Sequence, residues 1–173
     1  ESLRDRADTV GINSYVPMEV QKKFHETETQ GRLYSGGNRA GKTVAGVVED
    51  VKWLTGTHEV HSKNYPPPIR GRVCGVDFDR GVDLILIPEF KKWIPPEYLI
   101  DGKWDKSYHK ATRLLTLKNG STCEFMSYDQ DIDKFAGTSR HFVHFDEEPP
   151  KAIFTECLAR LIDTDGKWWM TMT

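Results

Sequence analysis

Two short segments carry residue types that could do chemistry on a phosphate. Gly36-Gly37-Asn38-Arg39-Ala40-Gly41-Lys42-Thr43 fits G-x-x-x-x-G-K-[ST], the pattern of a loop that wraps a nucleoside triphosphate such as ATP. Gly36, Gly37 and Gly41 lack a Cβ, so the backbone can turn its N–H groups inward as an anion nest at the positive end of a helix. Asn38, Arg39 and Ala40 complete that loop. Lys42 supplies a compact charge toward the β- and γ-phosphates, and the Thr43 hydroxyl is placed to ligate the Mg²⁺ that bridges them. Further along, Phe142-Val143-His144-Phe145 runs into Asp146-Glu147. Asp146 would hold Mg²⁺ through water, and Glu147 would orient and activate the attacking water. Glu148 competes with Glu147 for that role, and the ordinary reading of such acids is a helix N-cap.

These residues need a strand, a loop and a helix to position them. Arg32 to Ser35 reads as a strand entering the loop, and Thr43 to Leu54 as the helix leaving it, with Val44, Val47, Val48 and Val51 at helical spacing. Ahead of them lie a polar arm of about a dozen residues and a helix from Pro17 through His25, with proline near its first turn. Thr55 to Pro68 reads as a loop and Arg70 to Val76 as a strand. Asp79 to Phe90 reads as a helix that Pro88 bends or restarts, and Pro95-Pro96 ends the region. Arg113 to Leu117 and Ser121 to Phe125, joined through Asn119-Gly120, read as a β-hairpin with a tight primed turn. The last third alternates strand (His141 to Asp146), helix (Lys151 to Leu161) and strand (Lys167 to Thr173). That alternation predicts an α/β fold with a mostly parallel sheet. Thr171 and Thr173 fall on one face of the last strand. If that strand lies between the phosphate-loop strand and the Asp146 strand, their hydroxyls could sense the γ-phosphate.

The chain of 173 residues, with 38% hydrophobic content, suits one domain. A formal net charge of −2 excludes a strongly basic nucleic-acid coat, so any DNA contact falls to local residues. Lys91, Lys92, Lys103, Lys106, Lys110 and Arg113 form one basic cluster that also reads as a solvated face. Cys74, Cys123 and Cys157 lack metal-ligand spacing and read as reduced thiols. His141 and His144 read as core or edge histidines rather than ligands. No apolar run reaches membrane-spanning length.

In this setting the chain resembles the ATPase domain of the large terminase subunit of tailed bacteriophages. The carriers are Pro17-Met18-Glu19-Val20-Gln21-Lys22-Lys23-Phe24, Ser35 through Thr43, Phe135-Ala136-Gly137-Thr138, Asp146-Glu147 and Thr171-Met172-Thr173. The resemblance implies a P-loop NTPase of the RecA-like (ASCE) type with a β-hairpin insertion. Gln21 then looks like the adenine-reading glutamine, and Thr171 and Thr173 like the motif coupling hydrolysis to movement. Arg39 could move toward the γ-phosphate or fix the loop by a salt bridge. The family often carries an arginine where this chain has Ala136, leaving Arg140, Lys134 and Arg80 as candidates for a trans-acting finger. The resemblance also implies a Mg²⁺-dependent ATPase that drives double-stranded viral DNA into a procapsid in the host cytoplasm. Its partners would be the portal protein, the small terminase subunit and further copies of the chain in a ring, with no membrane. Residues 1–173 would then be a single ATPase domain, a fragment without the C-terminal nuclease domain and without DNA cleavage. A helicase-type ATPase and a nucleotide-binding assembly switch with little turnover are the alternatives.

Overall fold

The computed structural model describes residues 11–37 and 39–173. Asn38 and most of the N-terminal arm lie outside the described residues. The end of that arm is more than a polar tail: Gly11–Ser14 form a 3₁₀ turn and Ile12 is buried in the core.

The described strands are β1 (Gly31–Ser35), β2 (Arg70–Gly75), β3 (Tyr108–His109), β4 (Leu114–Thr116), β5 (Thr122–Ser127), β6 (Phe142–Asp146) and β7 (Lys167–Met172). They form one seven-stranded sheet in the order β1-β7-β6-β2-β5-β4-β3. The pairs β1·β7, β7·β6, β6·β2 and β2·β5 are parallel, while β5·β4 and β4·β3 are antiparallel. The last strand thus lies between the phosphate-loop strand and the strand ending in Asp146. The hairpin is present, and its second strand is also a member of the parallel sheet. Its turn differs from the primed form: Gly120 takes φ 89° and Asn119 does not have positive φ, so glycine closes a three-residue loop. Asn119 instead spends its side chain locally, accepting from Ser121 N–H at 2.9 Å and donating to the Leu54 carbonyl at 2.9 Å.

Helices cover both faces, so strand residues alternate between two apolar layers. Val73, Phe125, Phe142 and Trp169 pack on one side with α2 (Lys42–Thr55) and α3 (Ile87–Trp93). Cys74, Met126, Val143 and Phe145 pack on the other with Ile153, Cys157 and Leu161 in and just after α5 (Lys151–Ala159). On β6 this period of two places Phe142, His144 and Asp146 on the α2 side. Helix α2 is buried nearly all round. Its Val47, Val48, Val51 and Leu54 have no exposed surface, each burial stabilising by about 1.5–3 kcal/mol. Gly56 ends it in the left-handed region (φ 73°), bonding back to the Lys52 and Trp53 carbonyls.

Two smaller helices complete the set. Helix α1 (Glu19–Glu26) lies before β1, and α4 (Trp104–Ser107) before β3. Between β2 and α3, Phe78–Leu86 winds as a π-helix, with Val82 N–H bonding to the Asp77 carbonyl five residues back. Asp77 starts it by accepting the Arg80 and Gly81 N–H groups at 2.6 and 3.1 Å. Pro88 falls at the first turn of α3, where its missing N–H costs nothing, so the expected restart occurs there.

Candidate active site

Strand β1 delivers the chain into the loop, and Gly41 turns it into α2 with φ 69°. The left-handed backbone calls for glycine, and a Cβ there would lie 2.6 Å from Gln21 Nε2 and 2.9 Å from Met18 Cε, so it would have to displace the Gln21 amide. Arg39 also has positive φ, 72°, and its side chain is exposed. Tyr34 steadies the loop by donating to the Ala40 carbonyl at 2.9 Å. Gly36 bonds through its N–H to the Met172 carbonyl at 3.2 Å, which ties the loop to β7.

The Lys42 ammonium donates to the Gly36 carbonyl at 3.0 Å and to Thr173 Oγ1 at 2.8 Å. Thr173 passes the contact on: its hydroxyl donates to Glu147 Oε1 at 2.8 Å and its N–H to Glu147 Oε2 at 3.1 Å. Glu147 itself has φ 66°, a strained setting for a non-glycine residue that costs on the order of 1–3 kcal/mol. Its neighbour Asp146 is 8% exposed and accepts the Thr171 hydroxyl at 3.0 Å through Oδ1. Burial raises the Asp146 pKa against the pull of His144 and Thr171. The two threonines therefore each hold one acid.

Lys42, Thr43, Asp77, Arg80, Asp146, Glu147 and Thr173 line one cavity of about 320 Å³. The Thr43 hydroxyl and the Asp146 carboxylate are hard oxygen donors of the kind Mg²⁺ takes, so the residues fit that ion. Glu148 turns away and lines a separate cavity with Pro149, Lys151, Phe154 and Met170. The acids do not cap α5 either, since its N-cap is Pro150 with no side-chain bond.

Gln21 is buried, and its amide spans α1 and the loop: Oε1 accepts the Met18 N–H at 2.9 Å and Nε2 donates to the Gly41 carbonyl at 3.0 Å. Of the alternative basic groups, Arg140 is bound to Glu124 at 2.8 Å and to Thr138 Oγ1 at 2.7 Å. Lys134 sits on the 3₁₀ turn Ile132–Phe135, outside the residues lining the cavity. Arg80 alone of the three lines it. In the basic cluster, Arg113 is engaged with Asp83 at 3.3 Å and stacks 3.8 Å over Phe78.

Two buried polar networks escape a reading of the sequence. Glu49 in α2 is ion-paired with Arg32 at 2.7 Å and hydrogen-bonded to His25 at 2.6 Å, His58 at 2.9 Å and Trp53 at 3.1 Å. Burial alone would raise its pKa, but Arg32 and then the two histidines hold it well below the usual range. His25, Glu49 and His58 have the spacing of a metal site. His58 Nδ1, however, accepts the Val60 and His61 N–H groups, so Nε2 carries the proton that reaches Glu49 and has no lone pair for an ion. The second network joins Asp50, His144, Trp169 and Thr171. Burial pushes Asp50 up to about 6, and although burial pulls His144 down, the Asp50 charge carries it up overall. His141 is an edge residue, accepting the Arg70 N–H at 2.8 Å. The signal for both networks was available: Glu49-Asp50 stands in a helix whose valines leave no polar face.

A mostly parallel sheet with this loop between its first strand and first long helix, and two acids at the end of a neighbouring strand, defines an α/β phosphate-loop protein. Residues 86–173, just over half of the chain, match the family model described as terminase large subunit, T4likevirus-type, N-terminal. The chain belongs to that family. The matched stretch holds both acids and both threonines, while the phosphate loop lies ahead of it. No curated protein matches the chain. Among solved structures, the ATPase domain of the Thermus phage P74-26 large terminase is similar at TM-score 0.71 and 17% identity, over 94% of this chain and 66% of that one. An arginine-to-alanine mutant of it gives 0.69 and 18%, over 94% and 67%. The large terminase of a thermophilic bacteriophage, in complex with ADP, gives 0.61 and 21%, over 89% of this chain and 38% of that one. At these identities the likeness shows the fold. The chain spans about two thirds of the first two and just over a third of the last. Among the described residues no helix is long and apolar enough to cross a membrane.

Proposed function

We propose that residues 1–173 are the ATPase domain of a terminase large subunit, which binds ATP in the Gly36–Thr43 loop and hydrolyses it to drive double-stranded viral DNA into a procapsid. The observation that carries this reading is the continuous contact from Lys42 through Thr173 to Glu147, at the mouth of a cavity that Thr43 and Asp146 also line. In the reaction the loop N–H groups receive the phosphates, and Lys42 turns from Thr173 to the β- and γ-oxygens. Thr173 then keeps Glu147 oriented as the base that takes a proton from the attacking water. Thr43 and Asp146 would hold Mg²⁺, which would supply charge neutralisation at the phosphates. Gln21 presents its remaining amide valences to adenine, and Arg39, in its strained loop position, approaches the γ-phosphate.

Family membership favours a packaging motor over a helicase. The portal protein, the small terminase subunit, a ring of further copies and the host cytoplasm as the working compartment belong to this proposal. Lys42→Ala tests the nucleotide site directly. It should weaken ATP binding, measured by calorimetry, by at least about tenfold, the scale for one charged contact to phosphate. Equal affinity in the variant would remove the phosphate-loop reading.

A further inference from the structure

Asp146 is anchored from behind by residues that never reach the cavity. His144 precedes it by one pleat on the same face of β6, fully buried under α2. The ring fits because α2 has glycine at position 46: a Cβ there would lie 2.6 Å from His144 Cε1 and Nε2 and 2.9 Å from Thr171 Cγ2. Thr171 donates its single hydroxyl proton to Asp146 Oδ1 at 3.0 Å. Its oxygen must therefore accept, and the donor 2.9 Å away is His144 Nε2. On the far side His144 Nδ1 lies 2.6 Å from Asp50 Oδ2, and Asp50 Oδ1 accepts the Trp169 indole N–H at 2.9 Å. Hydrogen bonds thus run unbroken from the middle of the phosphate-loop helix, across β6 and β7, to the carboxylate at the cavity.

We propose that Asp50 and His144 are positioning residues for the nucleotide site, which act through Thr171 to fix the direction of the Asp146 carboxylate and so set the divalent-cation affinity of the site from helix α2. The inference rests on the reading of Asp146 as the Mg²⁺ residue. It gives Asp50, His144 and Gly46 a common purpose: the glycine opens the space, the histidine fills it, and the aspartate fixes the ring. Direct partners of a metal-holding residue typically change metal affinity by about 10–100-fold when removed; Thr171 has that place here, and His144 and Asp50 stand one and two bonds behind it, so their effect should be smaller than the top of that range.

The test is a Mg²⁺ titration of the binding of a fluorescent ATP analogue to the chain and its variants, beside the same binding in EDTA. His144→Phe keeps the ring volume and removes both hydrogen bonds. It should raise the Mg²⁺ concentration for half-saturation, by up to about tenfold, while leaving binding in EDTA unchanged. His144→Gln, whose amide can still donate toward Thr171, should recover part of the shift. If the phenylalanine variant does not fold, Asp50→Asn, which keeps the Trp169 bond, should give a shift in the same direction. Asp146→Asn separates the two claims. A shift with Asp146→Asn but none with His144→Phe or Asp50→Asn overturns the relay alone. No Mg²⁺ dependence in the unsubstituted chain overturns the cation reading and the relay with it. An equal loss of binding in EDTA and in Mg²⁺ reduces His144 to a packing residue and overturns the proposal.

Discussion

The residues at the mouth of the cavity are held in settings their types alone would avoid. Arg39 and Glu147 have the positive φ that side-chain-bearing residues avoid, while Gly41, at home with φ 69°, has Gln21 Nε2 where a Cβ would stand. Such strain persists only where surrounding contacts over-determine it, and here those contacts are the threonine bonds to Glu147 and the Gln21 clamp on the loop. Gly41 exposes this most directly. Gly41→Ala would put a Cβ in the left-handed region and into the Gln21 amide, costing about 1–2 kcal/mol for the backbone alone. Denaturant unfolding should show a lower midpoint, with ATP binding weakened in the same variant. An unchanged midpoint would mean that the loop relaxes freely and that the clamp is incidental. The glycines, Lys42, Thr43 and the two acids were legible because their spacing is dictated by the phosphate they would hold. The partners of Gln21 were not, because a long-range bond to the Gly41 carbonyl leaves no local pattern.

At the scale of elements, periodicity gave β1, α2, β6 and β7 closely, since a sheet covered on both faces demands apolar runs. It also gave the hairpin, but not that β5 pairs in parallel with β2, which depends on contacts some fifty residues apart. The π-helix at Phe78–Leu86 was read as an ordinary helix because apolar spacing does not report which carbonyl each N–H reaches. The partners of Glu49 and Asp50 were hidden for a different reason: a long-range bond between two buried polar groups leaves no local pattern. The loop after α2 carries a measurable consequence. His61 is buried against Trp53 and His58, and burial, helped by the Arg32 charge, lowers its pKa from 6.5 to about 4. The folded chain therefore binds fewer protons than the unfolded one between these values. This contribution is full above pH 6.5 and is lost as pH falls toward 4, where the depressed Glu49 acts in the same direction. Asp50, pushed up to about 6 by burial, acts in the opposite direction over the same window, so the check is a difference: as pH falls, Tm of the unsubstituted chain should drop relative to that of His61→Phe. Parallel curves for the two proteins would show that His61 does not carry it.

Over the whole molecule, the sheet order brings the loop, the acids and the threonines to one end, and the cavity there opens between β7, β6 and the π-helix. Arg80 lines it from the same chain, while Arg140 is committed to Glu124. The account's central claim is that this end of the sheet hydrolyses ATP with Glu147 as base. The measurement that tests it most directly is steady-state ATP hydrolysis with Mg²⁺ over a protein concentration series, beside Glu147→Gln. The account predicts turnover whose specific activity rises with concentration, and a fall of at least about 10²-fold in the variant with ATP binding intact. ATP binding without turnover at every concentration, or hydrolysis that survives Glu147→Gln, would contradict it.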